Sequence, residues 1–503
     1  MQSLSEGSKS RAEEIASHCF EPCALVVNEL STAKRALFAQ WRSGQLQKNQ
    51  IAARLISRRP NKAPAPLSLA QQQARFFSQL HPESPLYNIP VPMRWRGHLD
   101  ITAFQKALDA IIARHEIFRT RFEEDDSGEP VQVVGEISSV PVGVTDLRNL
   151  PEARREEELC RLLREEIRRP FDLASDLMLR ARLIRAGEDD WGASIVIHHI
   201  AADVWSWGVL WRELTILYEG FLEGRRVSLS ELTIQYGDFA AWQQQWLVGS
   251  ELQTHLDWWR QNLTNAPTVL NLPFAQARPA MQTSHGACEF MSLPAELVTQ
   301  LGELSRREGV TLFMTLLAGF QSLLQRYTGQ EDLLIGSPAA GRCRAELESV
   351  IGFFANVLVL RTSLGGNPTF RELLGRTRDV VLEALAHQEV PFAKLVQELQ
   401  PQRSASHLPF FQIVFALQEE LARSVRLPGV KATELEADTG TAKFDLMLTV
   451  LEGGDSLKCC AEYNTDLFAK AGVRRMLEQY QTFLESIVAQ PERRLSDLPF
   501  SIS

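Results

Sequence analysis

The sequence lacks the features that announce several whole classes of protein. Its seven cysteines, Cys19, Cys23, Cys160, Cys288, Cys343, Cys459 and Cys460, are an odd, scattered set without two CxxC pairs. That excludes a regular disulfide framework and points to reduced thiols in a cytosolic protein. Positive charge is not in excess: 53 Lys and Arg stand against 62 Asp and Glu, a formal charge of −9. With no strongly basic domain, nucleic acid is excluded as the expected partner. No stretch offers about 18 uncharged apolar residues, and the polar N-terminus has no apolar core of signal-peptide type, so no membrane partner is expected and the location is read as cytoplasmic. There is no GxxxxGK[ST] loop and no carrier-type serine segment, hence no P-loop nucleotide site and no thioester carried by the chain itself.

What is present is a chain able to bury a large core. Its 503 residues are 45% hydrophobic, 23% charged and 8% aromatic. The length corresponds to about three or four domain-sized units, or to two large lobes with an appendage. Residues 1–60 stand apart, with helical spacing over 10–19 and 30–42 and a possible hairpin over 44–56. Pro60, Pro64 and Pro66, among Arg58, Arg59 and Lys62, mark 61–66 as a Pro-rich linker. From Leu67 helices and strands alternate. Helices are predicted over 101–115, 151–169 and 204–218, and strands over 132–144, 177–185 and 193–200. After Asn265-Ala266-Pro267 the mixed pattern resumes, with strands predicted over 290–293 and 333–337 and helices over 298–307, 312–327, 370–387 and 469–489. The fold class is therefore α/β (α+β), in two lobes over 67–267 and 268–503.

The most unusual segment is His198-His199-Ile200-Ala201-Ala202-Asp203-Val204-Trp205-Ser206-Trp207. Two histidines end an apolar strand that turns into a helix, where a side chain can face a cleft. In extended chain their side chains point to opposite faces, so one of the two faces a given reacting group. Four readings stand side by side. His199 and Asp203 could ligate a metal, although the HExxH spacing is missing. Ser206 could be a nucleophile, although no GxSxG elbow is present. Both histidines could be satisfied core groups, with Asp203 paired to an arginine. Or one imidazole could act as a general base or hydrogen-bond partner near neutral pH.

The segment resembles the HHxxxDG, or more loosely HHxxxDxxSW, signature of the condensation domains of nonribosomal peptide synthetases. The resemblance runs in order from Leu67 to the C-terminus. It includes Ser68-Leu69-Ala70-Gln71, Ser84 to Pro90, Arg114-His115-Glu116-Ile117-Phe118-Arg119, Pro170-Phe171-Asp172-Leu173 and Tyr236 to Trp242. It continues through Gly336 to Arg342, Ile351 to Asn356, His387 to Phe392, Arg403 to Pro409 and Glu462 to Phe468. Two places depart from the pattern: Gln73-Ala74-Arg75 replace the first motif's Arg, Leu and aromatic residue, and Val204 replaces the glycine after the motif aspartate. Epimerization domains share the signature but carry a Pro-x-x-Gly-x-Gly-Tyr-Gly segment that is missing here, and cyclization domains have aspartates in place of the histidines.

The resemblance implies two chloramphenicol-acetyltransferase-like lobes in a V-shaped pseudo-dimer with a central tunnel. It implies transfer of an acyl chain from a carrier protein's phosphopantetheine thioester to an amine or hydroxyl, with no permanently bound cofactor and no metal. His199 is expected to face the reaction centre, His198 to be structural, and Asp203 to pair with Arg342. Val204, Trp205, Ser206 and Asn356 are expected to line the tunnel or site, and Tyr463 and Asn464 to belong to an element crossing between lobes. The chain is similar to the stand-alone, chain-releasing type of enacyloxin-type polyketide assembly, acting in trans. Residues 1–60 are then expected to be a docking region for the upstream acyl or peptidyl carrier protein and its synthase, the acceptor being a small molecule or itself carrier-bound. A noncatalytic recruiting module of the same fold and an acyl-CoA-dependent acyltransferase are the rival readings.

Overall fold

The computed structural model describes residues 56–500 apart from 61, 62, 268, 271, 274, 402, 403, 437 and 455. The helices expected over 10–19 and 30–42, the hairpin expected over 44–56 except its last residue, and all but 56–60 of the docking region expected over 1–60 lie outside the described residues. In chain order the regular elements begin with β1 (Ala65–Pro66), α1 (Leu69–Leu80), β2 (Asn88–Gly97), α2 (Ile101–Arg114), β3 (Thr120–Glu124), β4 (Pro130–Val134) and β5 (Val142–Asp146). Then come α3 (Glu152–Arg168), β6 (Leu179–Arg185), β7 (Asp190–His198), α4 (Val204–Leu222), α5 (Tyr236–Trp246) and α6 (Ser250–Leu263). The second half holds β8 (Gly286–Leu293), α7 (Ala295–Arg307), α8 (Leu312–Thr328), β9 (Asp332–Ala339), β10 (Asn356–Ser363), α9 (Phe370–Ala386) and α10 (Phe392–Leu399). It closes with β11 (Ile413–Glu419), β12 (Val430–Glu434), β13 (Leu446–Glu452), β14 (Leu457–Asn464) and α11 (Lys470–Ala489).

The fold is mixed α/β (α+β) and has two lobes. The first is built on a five-stranded sheet in the order β12-β2-β7-β6-β5, the second on a six-stranded sheet in the order β10-β9-β11-β13-β14-β8. A three-stranded sheet, β1-β4-β3, flanks the first lobe. Local chemistry accounts for the helix starts: Ser68, Asp100, Asp203, Thr311 and Thr369 each accept a backbone N–H from the first turn of the helix they precede. Helices α8, α9 and α11 pack together on the second sheet, burying Phe320, Phe370, Tyr480 and Phe483. In the first lobe α2 lies against α4, and α3 covers β2 and β7.

Three expectations are corrected. The single strand read over 132–144 is two strands in different sheets, β4 and β5. The chain leaves the β3–β4 ladder at Gly135, whose N–H donates to Arg119 O at 2.8 Å, and passes Pro141 before joining β6. The strand read over 193–200 begins earlier and ends at His198, so His199 already lies in the turn. Tyr463 and Asn464 do not cross between lobes. They end β14, which lies between β13 and β8 inside the second sheet.

The strand that does cross is β12, which leaves the second half of the sequence to pair antiparallel with β2, Val430 opposite Gly97 and Glu434 opposite Met93. This explains two prolines in β2. Pro90 and Pro92 lie beyond the reach of β12, and Pro92 O accepts from Leu435 N at 2.9 Å on that side. A residue's N–H and C=O share a side in extended chain, so the missing N–H faces away from the β7 ladder, where proline is tolerated. Gly97 adopts φ 118°, and a Cβ there would sit 2.0 Å from Gly429 O. Gly97→Ala is therefore expected to cost at least about 2 kcal/mol and to pull β12 off β2. Amide hydrogen exchange over 430–434, rising well above wild type alongside a lowered Tm, checks this; unchanged protection there refutes it.

Candidate active site

The centre of the site is made by Asp203, the N-cap of α4. Its Oδ1 accepts from Ser206 N at 3.0 Å and from Ser206 Oγ at 2.8 Å. Its Oδ2 accepts from Arg342 Nη1 at 2.7 Å, Phe354 N at 3.0 Å and Ala355 N at 3.1 Å. Arg342 and Asp203 side chains are each only 2% exposed. Arg342 Nη2 also donates to Ser206 Oγ at 3.0 Å and to Val350 O at 3.2 Å. One carboxylate thus caps a helix of the first lobe and holds the 342–355 loop of the second. Burying an ion pair is tolerable here because the surrounding donors satisfy the charge.

That loop completes a cavity of about 1340 Å³ between the lobes. Its walls include His199, Val204, Trp205, Phe353, Asn356 and Lys443. His199 lies at the end of β7, held by its N–H donating to Tyr87 O at 2.7 Å, and its ring packs 4.2 Å from the Phe353 ring. Nδ1 of His199 finds no hydrogen-bond partner among the described residues. Burial first, and the Lys443 ammonium second, hold the imidazole well below its ordinary pKa, so it is neutral at physiological pH. A neutral imidazole in a cavity wall can accept a proton from a nucleophile.

His198 does not line the cavity. It is 4% exposed, packs against Tyr87 and Phe171, and its Nδ1 accepts from Ile200 N at 3.2 Å. Burial, then the charges of Lys443 and Arg180, push its pKa down to about 3. Val204 and Trp205 stand in the wall, Trp205 46% exposed with its Nε1 donating to Glu348 O at 3.0 Å. Trp207 is instead core, stacked on Trp211.

Ser206 departs from its expected place in the wall. Its side chain is fully buried, because Oγ is consumed by Asp203, Arg342 and the Gly352 N–H at 3.2 Å. The same bonds leave it no freedom to act as a nucleophile, and they occupy the Asp203 oxygens that a shared metal would need. Asn356 reaches the wall but its amide works as a clamp: Nδ2 donates to Gln388 O at 3.0 Å and Val390 O at 2.7 Å, and Oδ1 accepts from Phe392 N at 2.8 Å.

The departure at Gln73-Ala74-Arg75 is accommodated on α1. Ala74 is buried, Gln73 faces the cavity, and Arg75 pairs with Glu124 at 2.8 Å. The start of α1 is tied to the site through Ser68 Oγ and Tyr236 OH, 2.8 Å apart, the latter donating to Phe353 O at 2.7 Å. Sequence reasoning passed over Lys443. Its signal was a lone cation shortly before the apolar-rich strand Leu446–Glu452.

The chain belongs to the condensation-domain family: the family model matches residues 61–500. Members of that family are the amide-forming acyltransferases of nonribosomal peptide synthetases. The chain is 45% identical over 442 residues to one of the linear gramicidin synthase proteins of Brevibacillus parabrevis, covering 88% of this chain and 6% of that protein. It is 40% identical over 448 residues to phosphinothricin tripeptide synthetase PhsC of Streptomyces viridochromogenes, covering 88% of this chain and 41% of PhsC. The chain therefore spans a small part of the synthetases it matches. Among solved structures it is similar to the X-domain from teicoplanin biosynthesis, with a TM-score of 0.79, 27% identity, and coverage of 89% of this chain and all of that one. It is also similar to the condensation domain of the Monacolin K polyketide synthase MokA, with a TM-score of 0.77, 25% identity, and coverage of 86% and 99%. Among the described residues no helix is long and apolar enough to cross a membrane.

Two outcomes test the site's energetics. Asp203→Ala is expected to destabilise the fold by about 3 to 5 kcal/mol, since it strands the Arg342 charge; a melting curve that matches wild type rejects this. The two depressed histidines bind protons in the unfolded chain, at pKa about 6.5, before they do so in the folded one. Their contribution is complete above pH about 6.5 and is lost as pH falls toward their folded values, with a slope of up to about 2.7 kcal/mol per pH unit. Calorimetric Tm between pH 7 and 4 should fall less steeply in the His198→Gln, His199→Gln double variant, and an identical slope removes the assignment.

Proposed function

We propose that this protein transfers an acyl, polyketide or peptide chain from the phosphopantetheine thioester of an acyl or peptidyl carrier protein to an amine or hydroxyl acceptor. The product is an amide or an ester, and the transfer releases the chain from its carrier. The observation that carries the reading is His199: a neutral imidazole in the wall of a cavity reached from both lobes, positioned by a loop that Asp203 and Arg342 hold in place. Family membership supports the amide-forming reaction.

The chemistry follows from the proton inventory. The acceptor's nitrogen or oxygen attacks the thioester carbonyl carbon and forms the new bond. His199 takes the proton that the acceptor loses, the carbonyl electron pair moves onto oxygen, and collapse of the adduct expels the thiolate, which leaves as the thiol with that proton. An amine with pKa near about 8 is partly neutral already, so His199 mainly orients it. An alcohol starts several units higher, and there a base acting in the transition state contributes about 100- to 10,000-fold. The donor and its synthase are proposed to arrive through residues 1–60, docking that raises the local concentration of the carrier. The acceptor is a free small molecule or a second carrier-bound group, and no cofactor stays bound.

Intact-protein mass spectrometry of acyl-loaded carrier protein tests the reading, with amine and hydroxy-acid acceptors and with wild type and His199→Ala. Acceptor-dependent unloading with a matching amide or ester product is expected, at least about 100-fold slower in a folded His199→Ala protein when the acceptor is an alcohol. Carrier binding without unloading across the panel would leave a recruiting module. Equal turnover of free acyl-CoA would make the protein a coenzyme A acyltransferase instead.

A further inference from the structure

One lysine acts through its charge on both histidines. Lys443 enters the cavity wall from the segment before β13. Its backbone N–H donates to Glu462 Oε1 at 3.2 Å, and its ammonium stands 4.6 Å above the Tyr87 ring of the first lobe. Among the described residues Nζ has no hydrogen bond and no ion pair. The Tyr87 ring is itself 5.9 Å from the His198 ring and 6.2 Å from that of His199. An ammonium in the cavity wall with a ring face beneath it keeps donors for an oxygen acceptor that enters the cavity. Arg342, by contrast, is committed to Asp203, Ser206 and the loop carbonyls.

We propose that Lys443 is a further catalytic residue, whose ammonium stabilises the negative oxygen of the tetrahedral adduct that forms when the acceptor attacks the thioester. This rests on the condensation reading above. In the step, the new bond forms to the carbonyl carbon while the C=O π pair becomes the oxyanion beside Lys443. Collapse then restores the carbonyl, breaks the carbon–sulfur bond and returns Lys443 to its unliganded state, with no net proton gained or lost by the ammonium. A fixed cation beside the reacting carbonyl suits this because its attraction grows with the charge that develops. The same charge favours the neutral form of His199.

The titratable and charged groups facing the ammonium are Glu462 on β14 with Asp438 beyond it, Tyr87 ahead of β2, and His198 and His199 at the end of β7. Burial outweighs the attraction of Glu462 and brings the Lys443 pKa down to about 8. The rate of a reaction that needs the ammonium should then fall as pH rises through about 8, and an arginine, which stays charged, should abolish that fall.

Lys443→Met and Lys443→Arg are compared with wild type in the carrier-unloading reaction and in calorimetric binding of two acyl-pantetheine analogues. One analogue carries a tetrahedral phosphonate in place of the thioester carbonyl, the other a neutral ketone. Expected for Lys443→Met are a kcat about 100- to 1,000-fold lower with little change in KM, and loss of the wild-type preference for the phosphonate with ketone binding retained. Expected for Lys443→Arg is partial retention of kcat without the alkaline decline. An unchanged kcat, a phosphonate preference that survives in Lys443→Met, or an alkaline decline that persists in Lys443→Arg overturns the assignment. Should Lys443→Met fail to fold, the arginine variant's pH profile and phosphonate preference decide. Absence of unloading by wild type would count against the condensation reading alone, since analogue binding tests Lys443 without turnover.

Discussion

The Asp203 carboxylate holds together the beginning of a helix in one lobe and a loop in the other. With one oxygen it starts α4, and with the other it holds Arg342 and the amides of Phe354 and Ala355 from the opposite lobe. Both oxygens are saturated, and the pair is almost fully removed from water. In such surroundings a charge is stable only while every partner stays in place, so the network behaves as a unit. Phe353 sits against His199 because its neighbours in the chain are bound to Asp203. Val204 and Trp205 stand in the cavity wall because the helix they open begins at that carboxylate.

The electrostatics of the site follow from what lies outside this unit. Around the histidines the structure places cations and rings: Lys443 over Tyr87, Arg180 over Phe171 at 3.8 Å, and both charges acting on His198. Desolvation and positive potential act in the same direction on an imidazole, favouring its neutral form. The two histidines therefore share a charge state yet differ in duty. His198 has its Nδ1 tied to Ile200 N and packs as a core side chain, whereas His199, one residue on, meets the cavity.

Much of this was legible in the sequence, for reasons that can be named. The helix predicted over 101–115, which runs over 101–114, was readable because its apolar residues recur at helical spacing; His198 and His199 were readable because adjacent residues leaving a strand must diverge. Ser206 was misplaced because its residue type and helical position do not reveal that a buried carboxylate and an arginine 136 positions away would claim its hydroxyl. The strand predicted over 132–144 failed because Gly135 and Pro141 interrupt it, and neither reveals which sheet each half joins. Trp205 and Trp207 are the same residue two positions apart on one helix, and only packing sends one to the cavity and the other beneath it.

The sequence by itself determined the class of fold, the order of the motifs and the pairing of chemistry with position: an imidazole after a strand, a capping carboxylate before a helix, an arginine to meet it. These are properties of neighbouring residues and of residue type, which local periodicity and hydrogen-bonding habit express directly. Tertiary structure decided what depends on chain segments far apart. It brought β12 to the edge of the other lobe's sheet, and it pointed Asn356 into a clamp rather than leaving its amide free to the cavity. It also carried Lys443 across to Tyr87. Each of these is a contact over tens to hundreds of residues, set by the packing of whole sheets against one another, and no local pattern encodes it.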